Sequence, residues 1–175
     1  MELVSGMMDG SLSYELEHRR EPIVSGAGVE REGNLELTDV PLFEGCSERQ
    51  LRRIGGIARV FEAPTGTVIT RVGEPGNEFY LILDGTVSVD LSVGKPVVLR
   101  PGEFFGEMSL LDGGPRSATV VADTPIRLLV ISRRHFSGLL KDVPGLTPTL
   151  LVTLSKRVRQ AEERAERLAS ASAGL

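Results

Sequence analysis

The chain has 175 residues, a single cysteine, no tryptophan and a formal charge of −4, with 20 Lys and Arg against 24 Asp and Glu. That length allows one domain with tails, lone Cys46 excludes an intramolecular disulfide, and mild acidity argues against blanket nucleic-acid binding. No apolar run approaches the roughly 18 residues of a spanning helix, and the opening MELVSGMMDG lacks the basic stretch and apolar centre of a secretory signal, so a cytoplasmic protein with no membrane partner is expected.

Residues 1–36 carry scattered charges, Gly and Ser, and few large apolar groups. They read as a flexible N-terminal arm, with a docked or autoinhibitory segment as the alternative. Met8, Leu12 and Leu16 fall four apart and would support only a marginal helix. Ser47-Glu48-Arg49-Gln50 fits a capping box. Leu51, Ile54 and Ala58 then recur at helical spacing, which predicts a short helix ending near Val60.

From Pro64 to Ile131, short Val-, Ile-, Leu- and Phe-rich runs alternate with Gly, Pro and Asp turns. Strands are expected at 67–71, 78–83, 86–91, 96–100, 118–122 and 126–131, with Asp84-Gly85 as a hairpin turn. Strands this short and this evenly spaced point to a small barrel or sandwich. Ser132 opens a short helix through Leu140, and Pro144-Gly145 and Pro148 interrupt the chain. A longer helix is expected from about Thr149 to Ala169, with 170–175 as a tail. Along it Leu151, Leu154, Val158, Ala161, Ala165 and Leu168 form a heptad stripe.

The most informative run is Phe104 to Val120, FFGEMSLLDGGPRSATV. Singly, Glu107 reads as a turn acid, Arg116 as a surface charge and the glycines as turns. Jointly they place an acid and an arginine nine positions apart across a tight turn, where they can grip two ends of one compact anion. The acid accepts from hydroxyls, and the arginine forks onto a phosphate. Gly106 frees the backbone so that the following turn can begin as a helical end with exposed N–H groups. Met108, Ser109, Ser117 and Ala118 are then placed to donate amides or to line a wall.

This run resembles the phosphate-binding cassette of the cyclic nucleotide-binding domain, whose pattern is approximately F-G-E-[LI]-[AG]-L, a short turn, then P-R-[AST]-A-[TS]-V. The segments Gly66-Thr67-Val68-Ile69, Gly73-Glu74-Pro75-Gly76 before Phe79-Tyr80, and Gly85 opening a Val-rich strand also match, so the resemblance covers about 40–169. It implies a mainly β fold with flanking helices: an eight-stranded-type, jelly-roll-like β-roll over 62–131, an N-terminal helical segment, and C-terminal helices over 132–169. The whole domain would then span 37–169.

The resemblance gives Glu107 the ribose 2′-hydroxyl and Arg116 the cyclic phosphate. The backbone of Gly106, Glu107, Met108 and Ser109, with Ser117 and Ala118, becomes the amide cradle. Val89 and Leu99 are either apolar walls near sugar and base or plain core. Ser109 stands where Ala or Gly is usual, and Met108 where Leu or Ile is usual. Neither change is expected to disturb the cradle. Ser117 bears on base choice, because a hydroxyl after the arginine can reach a guanine, yet serine there also occurs in cyclic-AMP binders. Cyclic AMP is favoured over cyclic GMP. Thr149 or Thr153 is the expected polar contact on the base side.

Hydrolysis of the ligand is not expected. Metal-dependent phosphodiesterases need clustered His and Asp ligands, and His18 and His135 are the only histidines. The expectation is therefore no enzyme, no catalytic residue, no metal and no cofactor beyond the ligand. With few residues after the last helix, no DNA-binding module is expected. The signal would leave through a surface, to an effector protein in trans. The final helix serves either as a lid or as the seam of a homodimer through 149–169. The competing reading is a non-binding β-roll that acts as a scaffold for protein–protein contacts.

Overall fold

The computed structural model describes residues 37–91, 95–143 and 145–173, so the expected N-terminal arm lies outside the described residues. The elements are α1 (Glu48–Ile57), β1 (Arg59–Ala63), β2 (Val68–Thr70), β3 (Glu78–Asp84), β4 (Val87–Asp90), β5 (Val97–Leu99), β6 (Phe104–Phe105), α2 (Glu107–Asp112), β7 (Thr119–Ala122), β8 (Ile126–Ser132), α3 (Arg133–Asp142) and α4 (Leu146–Ala173). Short 3-10 turns at Leu37–Asp39 and Pro41–Phe43 precede α1.

The strands form two four-stranded antiparallel sheets, ordered β1-β8-β3-β6 and β2-β7-β4-β5. This is the jelly-roll-like β-roll with flanking helices that the resemblance implied. The first sheet is covered on both faces, and β3 shows how. Successive side chains along a strand point to opposite faces. Tyr80 and Ile82 turn toward the second sheet and share the core between the sheets with Phe105, Leu128 and Val130 of their own sheet and Val87, Leu99 and Val120 of the other. Phe79 and Leu81 turn outward onto the helices, where Ile54, Phe136, Leu139, Leu146 and Leu150 close over them. A strand buried on both sides reads as the continuous apolar run Phe79-Tyr80-Leu81-Ile82. The pairings Phe79↔Ile131, Tyr80↔Val130 and Leu81↔Leu129 keep β8 in step with both layers.

The capping box on α1 is present: Gln50 N donates to Ser47 Oγ at 3.4 Å and Ser47 N donates to Gln50 Oε1 at 2.8 Å. The helix stops at Ile57, short of the expected Val60, because Arg59–Ala63 pairs with β8 in the register Arg59↔Val130 to Ala63↔Ile126. That partner lies some 67 positions along the chain, beyond the reach of a local pattern. The turn at Asp84-Gly85 is not a hairpin. β3 and β4 belong to different sheets, and Gly85, at φ 82°, is the corner between them. A Cβ there would lie 2.3 Å from the Pro125 carbonyl oxygen. α4 begins at Leu146 rather than near Thr149. Pro148 falls in its first turn, where a missing N–H removes no helical bond. The helix also continues through the expected tail, as far as Ala173.

Candidate functional site

The chain leaves β6 through Gly106, which takes φ 84° ahead of α2. α2 ends on Gly113, at φ 77°. The segment between α2 and β7 is stitched to the loop before β3: Arg116 N donates to the Glu74 carbonyl and Gly73 N to the Arg116 carbonyl, both at 2.8 Å. This stitching turns the Arg116 side chain inward, beneath α2.

Arg116 is only 7% exposed. Its Nη1 donates to the Gly106 carbonyl at 3.0 Å and to Ser109 Oγ at 3.1 Å, and its Nη2 to the Glu78 carbonyl at 2.9 Å. The guanidinium carbon lies 5.3 Å from the centre of the Tyr80 ring, which stacks on Phe105 at 4.9 Å. Below Arg116, Glu78 accepts from Tyr80 Oη at 2.8 Å and pairs with Arg59. Burial, and then the Glu78 carboxylate, push the Tyr80 phenol well above its ordinary range, so it stays a neutral donor.

Glu107 opens α2 and is 2% exposed. It does not pair with Arg116. Its Oε1 accepts from Arg157 Nη1 of α4 at 2.9 Å. Arg157 Nη2 also donates to the Phe104 carbonyl, and its guanidinium lies 4.8 Å from the centre of the Phe104 ring. Burial raises the Glu107 carboxyl above its ordinary range. The Arg157 charge, a backbone N–H of its own and the more distant Arg116 pull it back.

The remaining expected residues are placed as follows. Met108 is 48% exposed, and the Ser117 hydroxyl meets its sulfur at 3.5 Å. Ser117 is exposed, and Ala118 is buried with its carbonyl accepting from Thr70 Oγ1 at 3.2 Å. Gly106, Glu107, Ser109 and Arg116 come together around one guanidinium and one carboxylate. Leu99 lies in the apolar cluster between the sheets, with Val89 packed against it. Thr149 and Thr153 do not reach the site: each hydroxyl donates to the carbonyl four residues back, at 3.0 Å.

Three participants were not singled out from sequence: Arg157, Arg133 and Glu78. Arg133 Nη2 donates to the Gly76 carbonyl at 2.7 Å and to the Ser109 carbonyl at 2.9 Å, tying the start of α3 to α2. Arg157 had a faint signal. It continues the inward face of α4 marked by Leu146, Leu150 and Leu154 at helical spacing. The expected heptad stripe is split: it shares Leu154 with this inward face, while its Leu151 and Val158 stay 60% and 55% exposed.

Residues 60–143 match the family described as the cyclic nucleotide-binding domain. A cyclic nucleotide-gated potassium channel of Mesorhizobium japonicum is 40% identical over 118 residues, which are 67% of this chain and 33% of the channel. A cAMP-dependent protein kinase regulatory subunit of Mycosarcoma maydis is 36% identical over 63% of this chain and 23% of its own length. The chain thus spans about a third or less of these relatives. Among solved structures, the catabolite activator protein of Thermus thermophilus superposes with a TM-score of 0.65 at 32% identity, covering 74% of this chain and 63% of that one.

Proposed function

The chain carries a cyclic nucleotide-binding domain over residues 60–143, and from that premise we propose that it is a cyclic-nucleotide sensor, with cyclic AMP preferred over cyclic GMP. The observation that carries this reading is the state of Arg116. A guanidinium has five N–H groups. Gly106, Ser109 and Glu78 accept from Arg116, which leaves a pair of N–H groups for a bidentate phosphate. Burial of that cation strengthens the contact, since a hydrogen bond to a charged group contributes about 1.5–3 kcal/mol. Glu107 takes the ribose 2′-hydroxyl, and the amides from Gly106 to Ser109, with Ser117 and Ala118, line the phosphate. The kinase relatives named for cAMP support the base preference. The ligand is held and released without a catalytic step.

α4 is the output. The carboxylate that would receive the ribose hydroxyl already holds Arg157, so ligand and α4 bid for the same oxygens. A ligand shifts a conformational equilibrium only by its differential contacts with the two states, and this shared carboxylate supplies such a difference. The ligand-binding unit runs over 37–169, because Leu37, Leu42 and Phe43 are buried with Leu146 and Leu150. The signal passes to an effector protein in trans. The exposed Leu151, Val152 and Val158 favour a second use of α4, as a seam between two copies. Sedimentation velocity with and without nucleotide separates these uses, since only the seam changes the mass. Among the described residues no helix is long and apolar enough to cross a membrane.

Calorimetric titration with both nucleotides tests the reading. The wild-type chain is expected to bind cyclic AMP more tightly than cyclic GMP, and Arg116→Lys to bind at least tenfold more weakly. Absence of heat with either nucleotide removes the sensor and leaves the β-roll scaffold.

A further inference from the structure

We propose that the Ser109 hydroxyl is a positioning group for Arg116, one that fixes which of its N–H groups face the phosphate. The consequence for binding rests on the cyclic-nucleotide reading above, while the geometry stands on contacts within the chain. A small side chain at this position was expected to be neutral, since only its backbone N–H was given a role. The structure gives the side chain a role as well.

Ser109 is 2% exposed. A hydroxyl has one hydrogen to give and lone pairs to receive. The Ser109 hydroxyl gives its hydrogen to the Gly106 carbonyl at 3.3 Å and receives Arg116 Nη1 at 3.1 Å. The same Gly106 carbonyl receives Arg116 Nη1 at 3.0 Å. Gly106 O, Ser109 Oγ and Arg116 Nη1 therefore close a triangle that uses both Nη1 hydrogens. Glu78 takes one hydrogen of Nη2. What remains for an anion is the Nε hydrogen and one on Nη2. Alanine at 109 would leave an Nη1 hydrogen without an acceptor in a buried place, and the guanidinium would turn to find one.

Ser109 is itself held from two sides. Arg133 draws its carbonyl and that of Gly76 onto one Nη2, at 2.9 and 2.7 Å. Gly76 is pressed so close that a Cβ there would lie 2.2 Å from Ser109 Oγ and 2.6 Å from Arg116 Nε. The hydroxyl thus sits in a fixed slot between α2 and the loop before β3, and it passes that fixity to Arg116.

The test has two readouts. The first is nuclear magnetic resonance of the arginine side chains in the full chain without nucleotide. Rotation of the Arg116 guanidinium about Nε–Cζ is expected to be slow in the wild-type chain and faster in Ser109→Ala. The Arg133 signals serve as the internal reference and stay unchanged. The second is calorimetry with cyclic AMP and its 2′-deoxy analogue. Ser109→Ala should weaken both by about fivefold, the worth of one ordinary hydrogen bond, and leave their ratio unchanged because Glu107 is untouched. Ser109→Cys keeps the shape with a poorer acceptor, and should fall between serine and alanine. Unchanged Arg116 rotation in Ser109→Ala overturns the proposal, as does faster rotation with unaltered affinity. If the wild-type chain binds no nucleotide, the sensor reading fails, while the rotation measurement still decides whether Ser109 holds Arg116.

Discussion

Arg157 and Glu107, fifty positions apart, meet across 2.9 Å and join the last helix to the first residue of the cassette helix. The carboxylate is nearly sealed from solvent, while the guanidinium side chain keeps 30% exposure. Removing the arginine leaves a buried acid short of its partner, which is costly even where the intact pair contributes little. Arg157→Ala is therefore expected to destabilise the fold by about 1–2 kcal/mol and to free α4. Amide hydrogen exchange along 151–171 should speed up while exchange in β3 and β8 stays slow. Unchanged exchange in α4 would mean that the pair does not anchor the helix.

The same pair sets a pH dependence with a definite sign. Burial raises the Glu107 carboxyl in the fold above its ordinary range. A group that holds its proton more tightly when folded makes the native state the greater proton binder, so stability falls as pH rises. The penalty is absent below the unfolded carboxylate value of about 4.3 and grows until pH passes the higher folded value. Chemical denaturation across mildly acidic pH should show the wild-type chain losing stability relative to Glu107→Gln as pH increases. In Arg157→Ala the main opposing charge is gone, so the window should extend further upward. Parallel profiles for wild type and Glu107→Gln would contradict the assignment.

Gly106 and Gly66 share φ 84° but differ in surroundings. At Gly66 a Cβ would meet nothing within 4 Å, whereas at Gly106 it would lie 2.7 Å from Arg116 Nη1 and 2.9 Å from the Glu78 carbonyl oxygen. Both alanine variants incur the left-handed backbone cost of about 1–2 kcal/mol. Only Gly106→Ala should also displace the guanidinium, with nucleotide affinity falling at least tenfold while Gly66→Ala binds as wild type. Equal affinities in the two variants would show that the close approach at Gly106 is immaterial.

The sequence carried the half of the candidate site proposed to face the ligand, and little of what supports it. Glu107 and Arg116 are legible because a short glycine-bounded turn fixes their spacing, and both ends of that turn lie in one run of seventeen residues. Arg157, Arg133 and the Glu78 carbonyl reach Glu107, Ser109 and Arg116 from 50, 24 and 38 positions away, and no local period encodes such meetings. The fold shows the same division. Strands with strong alternation were placed to within a residue or two. The expected helix end near Val60 overruns the start of β1, and two-residue β6 is too short to show, since both strands exist only through pairing with β8 and β3. The Asp84-Gly85 turn was right in its positive φ and wrong in its partners, because sheet membership is a tertiary fact. On α4 the expected stripe mixes two faces: Leu151 and Val158 stay exposed, while Leu154 lies on the inward face that begins at Leu146.

Phe104 links the two ends of the device. Its ring stands 5.5 Å from Phe79, which stacks on Phe136 of α3 at 4.9 Å, and its other side carries the Arg157 guanidinium at 4.8 Å. Leucine at 104 keeps most of the apolar volume and removes the ring from both Phe79 and Arg157; the cation–π share of that loss is about 0.5–1 kcal/mol for a partly exposed cation. Phe104→Leu should lower stability by at least that much, the Phe79 ring pair adding to the loss, and raise hydrogen exchange in α4 in the same direction as Arg157→Ala. The two changes share one contact, so the double variant should be less destabilised than the sum of the singles. Chemical denaturation of the four chains measures this directly. Strict additivity would show that Phe104 supports the sheet alone and that Arg157 is seated by Glu107 without it.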